Sequence, residues 1–222
     1  MACCPPIPLD GVKAISRLLN GSTNDVLHSC VVGVPGSYLG SQGDDPAGQE
    51  IRAMIPVNLR SMEVAWKLGN RFSLAPLVLP IGTANLVERV HEVRRRMDAP
   101  NGSIQPLLAF AMLAVAHRLI KPAQDALLSL FGRTTTAVMA NVPGPKTQLI
   151  PRGARGTQCM FWAPQSRDIG LGVFLLSDGE GVPCGLSTDT APCPVPQPIT
   201  DAFAPPFEQL SLPTLMLPGS AQ

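Results

Sequence analysis

Thr134-Thr135-Thr136-Ala137-Val138-Met139-Ala140, followed by Asn141-Val142-Pro143-Gly144-Pro145, is where the character of the chain changes. The first seven residues are rich in β-branched side chains, which pack well on a pleated surface, so they predict a strand. The prolines and glycine that follow predict a rigid turn. Downstream, Gln158 to Trp162, Ile169 to Ser177 and Val182 to Thr188 read as further strands, the last two joined as a hairpin through Asp178-Gly179-Glu180-Gly181.

Upstream of this stretch the apolar spacing is mostly helical. Asp10 is a plausible N-cap for a helix through Val12, Ile15, Leu18 and Leu19, closed by Asn20-Gly21. A second helix, capped by Thr23 or Asn24, carries Val26, Leu27, Cys30, Val31 and Val34 until Val34-Pro35-Gly36 stops it. Asn24 and Asp25 sit in its first turn, where free backbone N–H groups favour acceptors. Gly40 to Glu50 reads as a polar loop. Ile51 to Arg60 is an expected strand in which Pro56 demands an edge position or a bulge, and Arg71 to Ile81 is a second extended piece holding Pro76 and Pro80. A helix from Leu86 to about Ala99 has Asn85 as N-cap, Glu88 at the third position and the stripe Leu86, Val90, Val93, Met97. Arg89, Arg94, Arg95 and Arg96 crowd its other faces and read as a solvated surface, with a phosphate or anionic-lipid patch as the alternative. Helices are also expected over Ser103 to His117 and Pro122 to Phe131. Near the end, the helical Phe203/Phe207 spacing is interrupted by Pro205-Pro206.

No internal repeat and no regular βαβ period is present, so the pattern predicts a mixed α/β unit with one sheet and packed helices. Residues 1–9 are expected to be a disordered extension, 10–210 the folded unit, and 211–222 a disordered tail. The length of 222 residues suits one large domain or two small ones. Gly (20) and Pro (24) make up about a fifth of the chain, just short of low-complexity sequence, so many turns are expected.

Several classes of function lose support. A net charge of +1, with 15% charged and 5% aromatic residues, shows no basic surface interleaved with aromatics, and a nucleic-acid partner is not expected. The best apolar run, Leu107 to Ala116, ends at His117-Arg118 and is too short to span a bilayer. The first ten residues have no basic region followed by an apolar core, so a cytosolic setting is expected. Cys3, Cys4, Cys30, Cys159, Cys184 and Cys193 include no Cys-x-x-Cys pair and read as reduced thiols, mostly packing residues. His28, His91 and His117 form no metal triad, and neither a Gly-x-Ser-x-Gly elbow nor a phosphate-binding glycine loop is present; Gly170-Leu171-Gly172 lacks the third glycine. His28, three residues after Asp25, has two readings: an imidazole base oriented by that carboxylate, or a structural histidine.

Val12-Lys13-Ala14-Ile15, Asn24-Asp25-Val26-Leu27, Ile55-Pro56-Val57-Asn58-Leu59-Arg60, Leu68-Gly69-Asn70-Arg71-Phe72 and Asn141 to Pro145, in that order, resemble the bacterial-type wax ester synthase/diacylglycerol acyltransferase family. The resemblance covers about residues 8 to 210 and lies with the family's C-terminal half. It implies one lobe of a chloramphenicol-acetyltransferase-like, CoA-dependent acyltransferase fold. In that fold two similar lobes enclose a tunnel for acyl-CoA and for a long-chain alcohol or diacylglycerol. Acyl-CoA enters as substrate, and no bound cofactor or metal is implied. The family's catalytic histidine belongs to a His-His-x-x-x-Asp-Gly motif of the N-terminal lobe, and that motif does not occur in this sequence. A positioned general base contributes ~10² to 10⁴ in rate, so the resemblance implies little or no turnover without another polypeptide carrying that lobe.

The resemblance names no catalytic residue here, and it marks Asn24, Asp25, Gly69, Asn70, Arg71, Asn141, Pro143, Gly144 and Pro145 as candidates for the tunnel or the lobe interface. Helix capping accounts equally well for Asn24 and Asp25. Backbone path-setting accounts for the glycine and proline turns. Arg60 and Arg71 have the chemistry to pair with CoA phosphates. Two features depart from the family pattern: Val34-Pro35-Gly36-Ser37 replaces an Arg-containing turn, and Ala140 stands where a hydroxyl residue commonly precedes the Asn-Val-Pro-Gly-Pro turn. Expected partners are an N-terminal acyltransferase lobe or a second copy, with at most peripheral membrane or lipid-droplet contact. A non-catalytic binding module, or a remnant that keeps the lobe's fold, stays open as the alternative.

Overall fold

The computed structural model describes residues 1–58, 72–98, 111, 121–123, 126, 135–144, 159–163, 169–177, 181–189 and 197–215. The strands are β1 (Ala2–Pro8), β2 (Glu50–Asn58), β3 (Phe72–Pro80), β4 (Ala137–Pro143), β5 (Leu171–Ser177) and β6 (Gly181–Thr188). The helices are α1 (Leu9–Leu18), α2 (Thr23–Ser41), α3 (Leu86–Asp98), α4 (Gln197–Asp201) and α5 (Ala204–Leu215). The strands form one six-stranded sheet in the order β1-β6-β5-β4-β2-β3. β4 pairs in parallel with both β2 and β5, while β1–β6, β5–β6 and β2–β3 are antiparallel. This is the mixed sheet with packed helices that the pattern predicts.

Period-two alternation divides the strand residues between the two faces. Ala137 and Met139 of β4, Val173 and Leu175 of β5, Leu77 and Leu79 of β3, and Cys184 and Leu186 of β6 join one core with the helices. α2 is its centre. Every residue from Asp25 to Val34 is buried, so the helix is enclosed on all sides instead of presenting one apolar stripe.

α2 does not stop at Pro35, as the sequence predicts, but continues to Ser41 with Pro35 inside it. An interior proline costs ~3 kcal/mol. Beyond the proline, Tyr38 and Leu39 pack against the core, and their partial burial offsets part of that cost. The polar loop is correspondingly shorter than expected.

The expected disordered extension over residues 1–9 is corrected: Ala2–Pro8 is β1, with Cys4 (2% exposed) and Ile7 (4%) in the core. Its ladder with β6 shifts register between Cys4 and Ile7, which takes up Pro5-Pro6 and their missing N–H groups. At the other end, α5 runs on through Ser211 to Leu215, residues expected to be tail. Pro205 and Pro206 fall in the first turn of α5, where a backbone N–H has no helical partner to lose, so they begin that helix instead of interrupting it.

The prolines of β2 and β3 follow a rule of phase. The Arg52 carbonyl accepts from Thr136 N and the Gln49 carbonyl from Ile81 N, so even residues of β2 direct their backbone groups toward β4 and odd ones toward β3. Pro56 therefore lacks an N–H on the β4 side, beyond Ala53 and Met54, where the β2–β4 ladder has ended. Although β2 lies inside the sheet order, the ladder it shares with β4 does not reach Pro56, which gives the proline the local edge that the sequence reading asks for. On β3, the Val78 carbonyl accepts from Arg96 on the outer edge, and Pro76 and Pro80 share its phase.

α3 begins with the Asn85 cap, whose Oδ1 accepts from Val87 N (3.0 Å) and Glu88 N (3.2 Å). The expected strand at 158–162 is absent over the described Cys159 to Trp162. Instead Phe161 and Trp162 pack edge-on against Phe174, each with ring centroids 5.6 Å away. The helices expected over 103–117 and 122–131 fall almost wholly outside the described residues, as do Arg60, Gly69, Asn70, Arg71 and Pro145.

Candidate functional site

Asn141 is two positions beyond Met139 on β4 and four beyond Ala137, so alternation turns its side chain to the helix face of the sheet. There it meets the first turn of α2. Asn141 Nδ2 donates to Asn24 Oδ1 at 2.6 Å, joining two of the motifs marked by the sequence across 117 positions of chain. Asn141 Oδ1 is buried and has no hydrogen-bond partner. The site thus lies where the N-terminus of the central helix meets the carboxyl end of a parallel strand, the place where open α/β sheets commonly bind ligands.

The neighbouring groups hold this corner in place. Ser22 is the N-cap, not Thr23 or Asn24: its Oγ accepts from Asp25 N at 3.1 Å, and Asp25 Oδ2 accepts from Ser22 N at 2.7 Å. This reciprocal pair is a capping box with an aspartate at the third position. It occupies the Asp25 carboxylate, so Asp25 does not orient His28 by a hydrogen bond. His28 Nδ1 lies 2.7 Å from the Asn24 carbonyl, which can only accept, and the proton is therefore on Nδ1.

His28 Nε2 then carries a lone pair, buried and without a partner. At 1% exposure, burial holds the imidazole pKa below its ordinary value, against the opposing pull of the Asn24 carbonyl and the Asp25 charge. Burial thus favours the neutral form of His28, whose Nδ1 rests on the Asn24 backbone carbonyl.

The Asn-Val-Pro-Gly-Pro segment is strand through Pro143, one turn later than the sequence predicts. Gly144 N then donates to the Ser177 carbonyl at 2.8 Å, tying the segment to the end of β5. A Cβ at Gly144 would stand 2.7 Å from that oxygen, so glycine is required by close approach. Val142 and Pro143 are exposed beside Asn141. Asn24, Asp25, Asn141, Pro143 and Gly144 therefore share one corner of the molecule.

Sequence reasoning missed Arg89. It is 6% exposed and lies on α2 at Gly33, where a Cβ would stand 2.6 Å from the Arg89 Cζ. Arg89 follows Leu86 by three residues and precedes Val93 by four, so its place on the apolar stripe was the available signal. The remaining arginines do lie on the surface but are engaged. Arg95 and Arg96 pair with Glu92, Arg96 also with Glu50, and Arg94 donates to the Asn20 carbonyl.

Among the described cysteines, Cys4, Cys30 and Cys184 are buried, Cys159 is half-buried and Cys3 is exposed, all as free thiols. Among the described residues no helix is long and apolar enough to cross a membrane.

A single mixed sheet with its helices, and a polar corner at the start of the central one, define one lobe of a CoA-dependent acyltransferase fold. Residues 68–211 match the WS/DGAT C-terminal domain family, and the chain belongs to that family. Over 187 residues it is 27% identical to a putative diacylglycerol O-acyltransferase of Mycobacterium bovis, a match covering 82% of this chain and 40% of the relative. It is 24% identical over 217 residues to wax ester synthase/diacylglycerol acyltransferase 2 of Arabidopsis thaliana, covering 85% of this chain and 44% of that protein. The solved wax ester synthase/diacylglycerol acyltransferase of Marinobacter aquaeolei VT8 superposes with a TM-score of 0.74 at 19% identity, over 97% of this chain and 49% of that one. The chain thus spans two fifths to one half of the length of these relatives.

Proposed function

We propose that this chain is the C-terminal lobe of a long-chain O-acyltransferase that transfers an acyl group from acyl-CoA to an alcohol or diacylglycerol. In this reading Asn24 and Asn141 line the acceptor end of the tunnel. The observation that carries it is the Asn141–Asn24 hydrogen bond, which joins two family motifs and leaves the Asn141 Oδ1 as a buried acceptor without a donor. An acceptor hydroxyl supplies that donor, and a buried unpaired acceptor otherwise costs about 1 to 3 kcal/mol. Asp25 acts only through the capping box. Gly144 acts through the path of the strand end, and Gly69, Asn70, Arg71 and Pro145 belong to the same interface. The general base comes from the His-His-x-x-x-Asp-Gly lobe on another polypeptide segment, so this chain alone turns over little or no substrate. Contact with a membrane or lipid droplet is peripheral, at the lipid acceptor's surface.

The test is palmitoyl transfer from palmitoyl-CoA to hexadecanol and to diacylglycerol, measured with the chain alone and mixed with a family N-terminal lobe bearing the histidine motif. Activity only in the mixture is expected. Activity of the chain alone would overturn the assignment of the base, and a folded but inert mixture would favour a binding module. In the active mixture, Asn141→Ala and Asn24→Ala lower kcat/KM by about tenfold or more, the effect of losing one hydrogen bond to substrate. Unchanged values reject the role of this corner.

A further inference from the structure

The far half of α2 borders a second site. A cavity of about 500 Å³ lies between α2, the turn before α3, and α5, lined by Arg89 together with Ile81, Leu86, Ala202, Pro205 and Pro206. That volume is in the range of small-ligand pockets. Gly33, the lining residue of α2 nearest that corner, is nine residues from Asn24, or roughly 14 Å along the helix at 1.5 Å per residue, so the cavity is separate from the Asn24–Asn141 corner.

Arg89 is a buried cation without a counter-charge. Its Nη1 donates to the Thr83 carbonyl at 3.3 Å, its Nε has no partner, and among the described residues it pairs with no carboxylate. The nearby Cys30 thiol supplies no negative charge, because burial pushes its pKa up to about 12. A guanidinium enclosed in this way is unfavourable unless an anion accepts from its free N–H groups, and its planar fork matches a carboxylate. Among the described residues no lysine or second arginine lines the cavity, so the site suits a single negative charge. The aliphatic and proline walls suit a hydrocarbon chain.

We propose that this cavity binds an aliphatic carboxylic acid, with its carboxylate on the Arg89 guanidinium and its chain against Ile81, Leu86 and Pro206. The site is independent of the acyl-transfer reading and needs no second lobe.

The test is calorimetric titration of the full 222-residue chain with octanoate, octanol, acetate and inorganic phosphate. Octanoate binds at one site. Octanol and acetate, which each lack one half of the recognition, bind at least about tenfold more weakly, and phosphate does not displace octanoate. Arg89→Met weakens octanoate by about 10- to 100-fold, the loss of one charge-assisted pair. Gln209→Trp narrows the cavity from an exposed position on α5 without touching Arg89, and weakens octanoate about tenfold even if the Arg89 variant fails to fold. Absence of octanoate binding, equal binding by both folded variants, or phosphate binding as tightly as octanoate would overturn the proposal.

Discussion

The two halves of α2 handle buried polarity in opposite ways. At the N-terminal end, Ser22, Asp25, His28, Asn24 and Asn141 satisfy one another through short hydrogen bonds, and only the Asn141 Oδ1 and His28 Nε2 are left over. In the C-terminal half, glycines let neighbouring segments come close, and the Arg89 guanidinium is enclosed with no carboxylate partner among the described residues. The N-terminal half is buried from Asp25 onward and the C-terminal half only at Gly33, Val34 and Gly36, yet each borders a candidate site, so burial alone does not identify a site; what each polar atom lacks is the better guide. One end lacks a donor and suits a hydroxyl, while the other lacks an anion.

This contrast can be broken most severely at Gly36, where an added Cβ would overlap the Ile81 carbonyl. Gly36→Ala is expected to cost about 3 kcal/mol, read as a lower denaturation midpoint at unchanged slope, because a backbone oxygen cannot move aside cheaply. An unchanged midpoint would mean that the two segments are not in contact. At the other end, His28 makes stability depend on pH. Its pKa is lowered on folding, so the stability present above the ordinary imidazole value of about 6.5 is lost as pH falls through that value toward the folded pKa, by up to ~1.4 kcal/mol per pH unit. His28→Phe removes this slope below about pH 6.5 in urea titrations. Ser22→Ala opens the capping box and costs about 1 kcal/mol. Asn141→Ala loses one hydrogen bond but also removes the unpaired Oδ1, so it changes stability by no more than about 0.5 kcal/mol, which separates its structural role from the larger effect expected on catalysis.

Features governed by local spacing were legible in the sequence. α3 announced itself by its stripe and its Asn85 cap, and the β5–β6 hairpin by its turn residues and flanking runs. Features decided by tertiary contact were not. Pro35 signals a helix end unless both sides of the helix are known to be covered, and the prolines of β1 hide a strand whose two inward residues, Cys4 and Ile7, are off a simple alternation by one position. Asn24 and Asn141 were each marked by family resemblance. Only the fold brought them to 2.6 Å. Arg89 was hidden among other arginines, since charge argues for solvent even where position argues for the core.

The outer edge of β3 has a consequence for solubility. Pro76 and Pro80 offer no N–H outward, and Arg96 already occupies the Val78 carbonyl between them. An incoming strand from another molecule would find a broken row of donors and the Arg96 side chain in its path, so this margin of the sheet resists the edge-to-edge polymerisation that open β-structure invites.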